Sequence, residues 1–150
     1  MSVVQLIFTA TPGPISWLIR ARAGGPFSHV ALVDGEHVVE AVAGKGVVRR
    51  TLAEALAGVS RWALMTVPHA SPEEVLAAAR SQLGRPYDWS GIAGVGVDRD
   101  WQEPDSWFCS ELVAWAFEQA GTPLVRADAV SRVTPQNLWV LPHPVTLTAP

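Results

Sequence analysis

Two apolar runs flank Asp34–Gly35 in the stretch "FSHVALVDGEHVVEAVA", and this arrangement constrains the chain more than any other feature. An Asp-Gly dipeptide between runs of strand-forming residues is among the strongest short signals of a β-hairpin. A two-residue turn at Asp34–Gly35 pairs residue 33 with 36 and 32 with 37, and so on outward until His29 faces Glu40. Opposed residues share a face of the sheet with Cβ atoms about 5 Å apart, so a carboxylate there orients an imidazole and stabilises its charged form. The plainer alternative is a surface His–Glu pair, and a slip of one residue would separate the two. The apolar neighbours of His29 favour the functional reading over an idle exposed imidazole.

Other signals extend this hairpin into a mixed fold. "VVQLIFTA" reads as a buried strand, and "ISWLIRAR" after Pro14 as a brief helix stopped by Gly24–Gly25. "GVVRR" and "RWALMTV" read as further strands. Between them Thr51 and Glu54 form a capping box that opens a short helix ending at Gly58. Ser71, Pro72 and Glu74 repeat the helix-start pattern for "PEEVLAAARSQL", which Gly84 ends. Residues 85–105 form a long irregular connection, of a kind that often lines a site. "TPQNLWVLPHPVTL" gives one helical turn and a last strand. Strands cluster early and the longer helices late, so the expected class is α+β with an antiparallel sheet, in a single domain over residues 1–150.

Composition excludes several roles. The formal net charge is −3, and no basic run exceeds Arg49–Arg50, which argues against a nucleic-acid-binding face. The single cysteine forms no internal disulfide, and no Cys/His spacing suggests a zinc site. The acidic loop "VDRDWQEPD" lacks the central glycine of a calcium loop, so no metal is expected. "MSVVQLIFTATPGPISWLIR" has no basic segment ahead of an apolar core and is not a secretory signal as written. No apolar run approaches the roughly 20 residues that span a bilayer. The location is therefore expected to be cytoplasmic, or else reached through a delivery apparatus such as a phage tail or secretion system.

The cysteine, Cys109, lies in "DSWFCSELVAWAFEQAG". Asp105 or Ser106 is placed to cap a helix starting at Trp107, which puts Cys109 in the first turn. There the unpaired backbone N–H groups and the helix dipole favour thiolate over thiol. Phe108, Leu112, Trp115, Ala116 and Ala120 follow helical spacing and face the sheet, whereas Glu111 lies about 200° around the helix from the cysteine. On composition alone such a cysteine is more often inert core. A nucleophilic thiolate needs a proton acceptor, and the acceptor needs a partner. His69 and His143 read as loop residues, His37 and His29 as hairpin residues.

The ordered pieces "FSHVALVDG", "VVEAVAGKGVV", "LGRPYDW", "WFCSELVAWAFEQAG" and "VTPQNLW" run over most of the chain. Together they resemble the circularly permuted, papain-like branch of the NlpC-type cysteine peptidase superfamily, the YiiX-like proteins. In that group the histidine comes first on a strand and the cysteine later at a helix start. The resemblance implies a permuted papain-like fold with Cys109 as nucleophile, His29 as general base and Glu40 as the orienting residue. It also implies that Tyr87 lies near the cysteine, positioning substrate or stabilising an oxyanion, while Asp88 and Glu111 are structural. The chain departs from the family's Gly-Asp-Ile opening, carrying "VQLIF" instead.

The activity so implied is that of a thiol hydrolase, a cysteine peptidase or amidase that needs no cofactor and cleaves peptidoglycan stem peptides. Two alternatives stand beside it. One is a thiol acyltransferase or lipid hydrolase acting on acyl-lipid substrates, with Trp17, Trp89, Trp101 and Trp107 lining an apolar groove. The other is a non-catalytic binding or structural module that keeps the fold.

Overall fold

Alternation along the first strand sets the two faces of the sheet. In the computed structural model, which describes residues 2–88 and 107–147, β1 (Val3–Ala10) sends Val4, Leu6, Phe8 and Ala10 into one core cluster and Ile7 into another. This is the period of two that a strand buried on both sides imposes. β2 (His29–Asp34), β3 (His37–Val42), β4 (Gly46–Thr51), β5 (Arg61–Pro68) and β6 (Val145–Leu147) complete a six-stranded sheet of order β4-β3-β2-β1-β5-β6. Every neighbouring pair is antiparallel. The fold is thus α+β, as the clustering of strand signals implies.

Helices cover the two faces unequally. The larger core receives Ile19 from α1 (Pro14–Ala23), Val75 and Ala79 from α3 (Pro72–Arg80), most of α4 (Cys109–Gln119) and Leu138 from α5 (Pro135–Trp139). The smaller core, Ile7, Ala31 and Val38, is roofed by Leu52, Ala55 and Leu56 of the short helix α2 (Leu52–Leu56). α4 is buried almost all round, from Cys109 to Ala114 and again at Ala116 and Phe117, which makes it the central helix. Trp139 meets Phe8 and Phe27 edge-on at 5.3 and 4.8 Å between ring centroids, and the two phenyl rings lie tilted at 5.9 Å.

The helix boundaries follow the local chemistry, with three corrections. Thr51 and Glu54 make the expected capping box, Thr134 and Asn137 make a second, and Gly24 ends α1 in the left-handed region at φ +74°. α3, however, stops at Arg80 rather than running to Gly84, and the Ser71 side chain makes no capping bond. α4 starts at Cys109 with Phe108 as its N-cap, not at Trp107. Trp107 is held instead in a β-bridge with Tyr87, the two chains exchanging Trp107 N–H to Pro86 O and Asp88 N–H to Trp107 O at 2.9 Å. The expected caps Asp105 and Ser106 lie outside the described residues. A 3-10 helix over Ala127–Arg132 carries no clear sequence signal.

The hairpin turn also sits one residue further on than expected. Asp34 pairs with His37, Val33 with Val38 and Leu32 with Val39, so the loop is Gly35–Glu36. Gly35 takes φ +63° at the first loop position, a conformation that glycine adopts without penalty. Asp34 is thereby released from the turn and accepts bonds from Arg49 Nε at 3.0 Å and from Arg80 Nε and Nη2 at 2.9 and 2.7 Å. Those bonds tie the sheet to α3.

Candidate active site

The corrected register moves the partner of His29 by two residues. Continued outward, it puts Val42 across from His29 and Glu40 one diagonal step away. A slip of two keeps strand parity, so the residues still share a face, and a diagonal Cβ separation of about 7–8 Å is within reach of a long side chain. His29 Nε2 and Glu40 Oε1 are 2.9 Å apart. The expected contact is present, although the expected direct opposition is not.

A third strand supplies a residue that the sequence reading passed over. Val47 points into the larger core, so Arg50 lies on the opposite face, that of Val38 and Glu40. Its guanidinium grips Glu40 with both prongs, Nη2 on Oε1 at 2.9 Å and Nε on Oε2 at 3.2 Å. Adjacent Arg49 and Arg50 therefore serve different acids on opposite faces, Asp34 on one and Glu40 on the other. Once Glu40 was assigned a face, the parity of "GVVRR" carried enough information to find Arg50.

Cys109 opens α4 on the larger-core side, its Sγ 4.0 Å from the carbonyl oxygen of Ser28, the residue just before β2. The thiol is near enough to the His29 ring to raise the imidazole. The imidazole thus holds Glu40 on the sheet and lies near Cys109 on the helix. Glu40 is only 1% exposed, and the His29 side chain 24%. Burial alone would push the imidazole down, but Cys109 and Glu40 beside it raise it from 6.5 to about 10. Burial likewise opposes ionisation of Glu40, yet His29 and then Arg50 hold the carboxyl at about 2. An ionised carboxylate accepts only, so Nε2 carries a proton and Nδ1 is left for the thiol proton.

Tyr87 arrives on the loop that follows α3. Val47 N–H donates to Arg85 O at 2.8 Å and Gly84 N–H to Val47 O at 2.9 Å, docking this loop on the free edge of β4. Gly46, at φ +81°, allows the approach: a Cβ there would stand 2.3 Å from Arg85 O. The Tyr87 ring packs 6.0 Å from Phe108 beside the start of α4. Burial, then the charges of Cys109 and Asp88, push its hydroxyl well above the usual phenol range, so it stays a proton donor. Asp88 and Glu111 are buried.

A pocket of about 250 Å³ is lined by His29, Glu40, Arg50 and Tyr87, while Cys109, only 1% exposed, does not line it. Its apolar wall comes from Ile15, Ile19, Val42, Ala57 and Val59. None of the tryptophans expected in such a groove takes part among the described residues. Trp17 is exposed on α1, Trp107 is buried against Trp115 at 5.0 Å, and Trp89 and Trp101 lie outside the described residues. Of the other histidines, His69 bonds Thr122 and the Ser71 amide, and His37 pairs with Thr51 across β3 and β4.

Comparison with known proteins finds sequence relatives named as peptidases and a solved structure of the same fold. No family model matches the chain. A probable endopeptidase of Mycobacterium tuberculosis (strain ATCC 25618 / H37Rv) is 46% identical over 50 residues, 33% of this chain and 10% of that protein. The probable lipoprotein peptidase YaeF of Escherichia coli K12 is 25% identical over 172 aligned residues, 92% of this chain and 60% of that protein. The chain therefore spans a tenth to three-fifths of the length of these relatives. The crystal structure titled metalloprotein YiiX, from Escherichia coli O157:H7, superimposes with a TM-score of 0.74 over 99% of this chain and 96% of that one, at 18% identity. The fold is thus the papain-like α+β arrangement of YiiX, with an antiparallel sheet packed on helices, and the chain is similar to proteins named as peptidases.

Proposed function

We propose that the chain is a cysteine-dependent amidase or endopeptidase that cleaves peptide bonds in peptidoglycan stem peptides. The observation that carries this reading is His29 bonded at 2.9 Å to a buried carboxylate and near enough to Cys109, the first residue of a buried helix, for the thiol to raise the imidazole. Base, orienter and nucleophile are in the order that acyl transfer requires. His29 takes the Cys109 proton on Nδ1, and the thiolate attacks the carbonyl carbon of the scissile amide. The amide N–H groups of the first turn of α4, unused within the helix, and the Tyr87 hydroxyl serve as donors to the oxyanion. The imidazolium then protonates the leaving amine, and water, deprotonated by His29, resolves the thioester. The peptidase names of the sequence relatives support this class, and the choice of peptidoglycan follows from the resemblance to NlpC-type enzymes.

YiiX is titled a metalloprotein, but the donors at this site do not fit a metal. Both Glu40 oxygens are engaged by Arg50 and one also by His29. Among the described residues no group of three or more His, Cys, Asp or Glu side chains is placed to hold one.

The test is release of new amino groups from purified peptidoglycan, lost in Cys109→Ala. A protein that cleaves no muropeptide overturns the substrate assignment. The apolar wall of the pocket favours a second reading, thiol-dependent transfer or hydrolysis of acyl groups. An acyl adduct on Cys109 detected by mass spectrometry after incubation with phospholipid vesicles would select it, and its absence with several lipid classes would discard it. A Cys109 thiol that resists iodoacetamide at every pH would favour a non-catalytic module over both.

A further inference from the structure

We propose that Arg50 is a positioning residue for the Cys109–His29 pair, acting through Glu40; this rests on the reading above that those two side chains carry the chemistry. Glu40 has two oxygens and three donors. Oε1 is shared by His29 Nε2 and Arg50 Nη2, both at 2.9 Å, and Oε2 is held by Arg50 Nε at 3.2 Å. A one-point contact with His29 alone would let the carboxylate swing about its last bond. The planar fork of Arg50 fixes that plane and so fixes where Oε1 meets the ring.

Charge neutralisation alone does not account for this arrangement. The guanidinium repels an imidazolium directly, so any support Arg50 gives to charged His29 has to pass through the geometry of Glu40. The two accounts therefore predict opposite signs. If Arg50 supplies only charge, its removal leaves His29 equally or more easily protonated, because Glu40 keeps its place and loses a competing cation. If Arg50 positions Glu40, its removal lets the carboxylate turn away and His29 loses its proton more easily. The groups that face His29 are Glu40 from β3, Arg50 from β4, Cys109 from α4 and Tyr87 from the loop before it. Changing Arg50 leaves the chemical identity of the other three intact.

Arg49 offers an internal contrast. It also meets a carboxylate, Asp34, but that acid goes on to Arg80 of α3, and the cluster ties a helix to the sheet. The acid held by Arg50 goes on to the imidazole that meets the cysteine. Neighbouring arginines in one strand thus divide into an anchor for the scaffold and a brace for the site.

The experiment is an NMR titration of the His29 ring together with the pH-dependent rate of Cys109 alkylation by iodoacetamide. It is run on the full chain, its Arg50→Gln, Arg50→Lys and Glu40→Gln variants, and the Arg50→Gln/Glu40→Gln double variant. Arg50→Gln is expected to lower the His29 midpoint by about one unit or more and to slow alkylation at pH 7 about tenfold. Arg50→Lys, which keeps the charge and loses the fork, is expected to lower the midpoint as well, and it carries the test if the Gln variant does not fold. In the Glu40→Gln background the Arg50 change should add nothing. A midpoint that stays or rises, or a drop of equal size in the Glu40→Gln background, overturns the proposal. Neither readout needs a substrate, so failure to cleave peptidoglycan would leave this result legible.

Discussion

Replacing Glu40 by Gln isolates the charge on which the site is built, and its effect on stability can be worked out beforehand. The carboxyl is held at about 2 against an ordinary 4.5, despite near-complete burial, by His29 and Arg50. A depressed carboxyl stabilises the fold above its unfolded value and loses that contribution as pH falls through its folded value. A shift of this size corresponds to about 3 kcal/mol at neutral pH, of which about 1 kcal/mol remains at pH 2.5. Wild-type and Glu40→Gln proteins would be unfolded in urea at intervals between pH 7 and 2.5. Below pH 4.5, where His29 is charged in both proteins, the stability difference between them should shrink by about 2 kcal/mol by pH 2.5. Asp34 titrates similarly but is common to both proteins, so it cancels from the difference. A difference that holds constant with pH would refute the claim that Glu40 is an ionised partner of His29 and Arg50.

His29→Ala should slow iodoacetamide alkylation of Cys109 at pH 6–7 by tenfold or more, followed by mass spectrometry of the labelled peptide. Tyr87→Phe keeps the ring against Phe108 and removes the hydroxyl; it should lower kcat by about 10²-fold, the cost of one oxyanion donor. Gly46→Ala combines a left-handed φ with a Cβ 2.3 Å from Arg85 O, so it should cost about 2 kcal/mol or more in urea unfolding. Loss of activity beyond the loss of folded protein would then trace to the displaced Tyr87 loop.

Most of the sheet could be read from local chemistry, because the apolar run "VVQLIFTA" and the capping box at Thr51 depend on nearby residues. The hairpin shows where such reading falls short. Asp-Gly marks a turn, but whether Asp34 sits inside it depends on Arg49 and Arg80, which claim its carboxylate from a neighbouring strand and a distant helix. Cys109 was placed correctly in a first turn, while the helix start itself was set by the Tyr87–Trp107 bridge, a contact between chain segments that local signals do not encode. Arg50 was missed for a related reason: its meaning depends on which face Glu40 occupies, and that follows from a register across three strands. His29 and Glu40 survived an error in that register because the error was an even number of residues.

The Ser28 carbonyl beside Sγ marks where helix and sheet meet, and it has a consequence for how the protein acquires reactivity. His29, Glu40 and Arg50 belong to consecutive strands and come together when β2, β3 and β4 pair, a local event in the chain. Cys109 joins them from far along the sequence, when α4 docks. Until then the cysteine has no base beside it. The meeting of cysteine and imidazole is thus a product of tertiary assembly, not of any local segment.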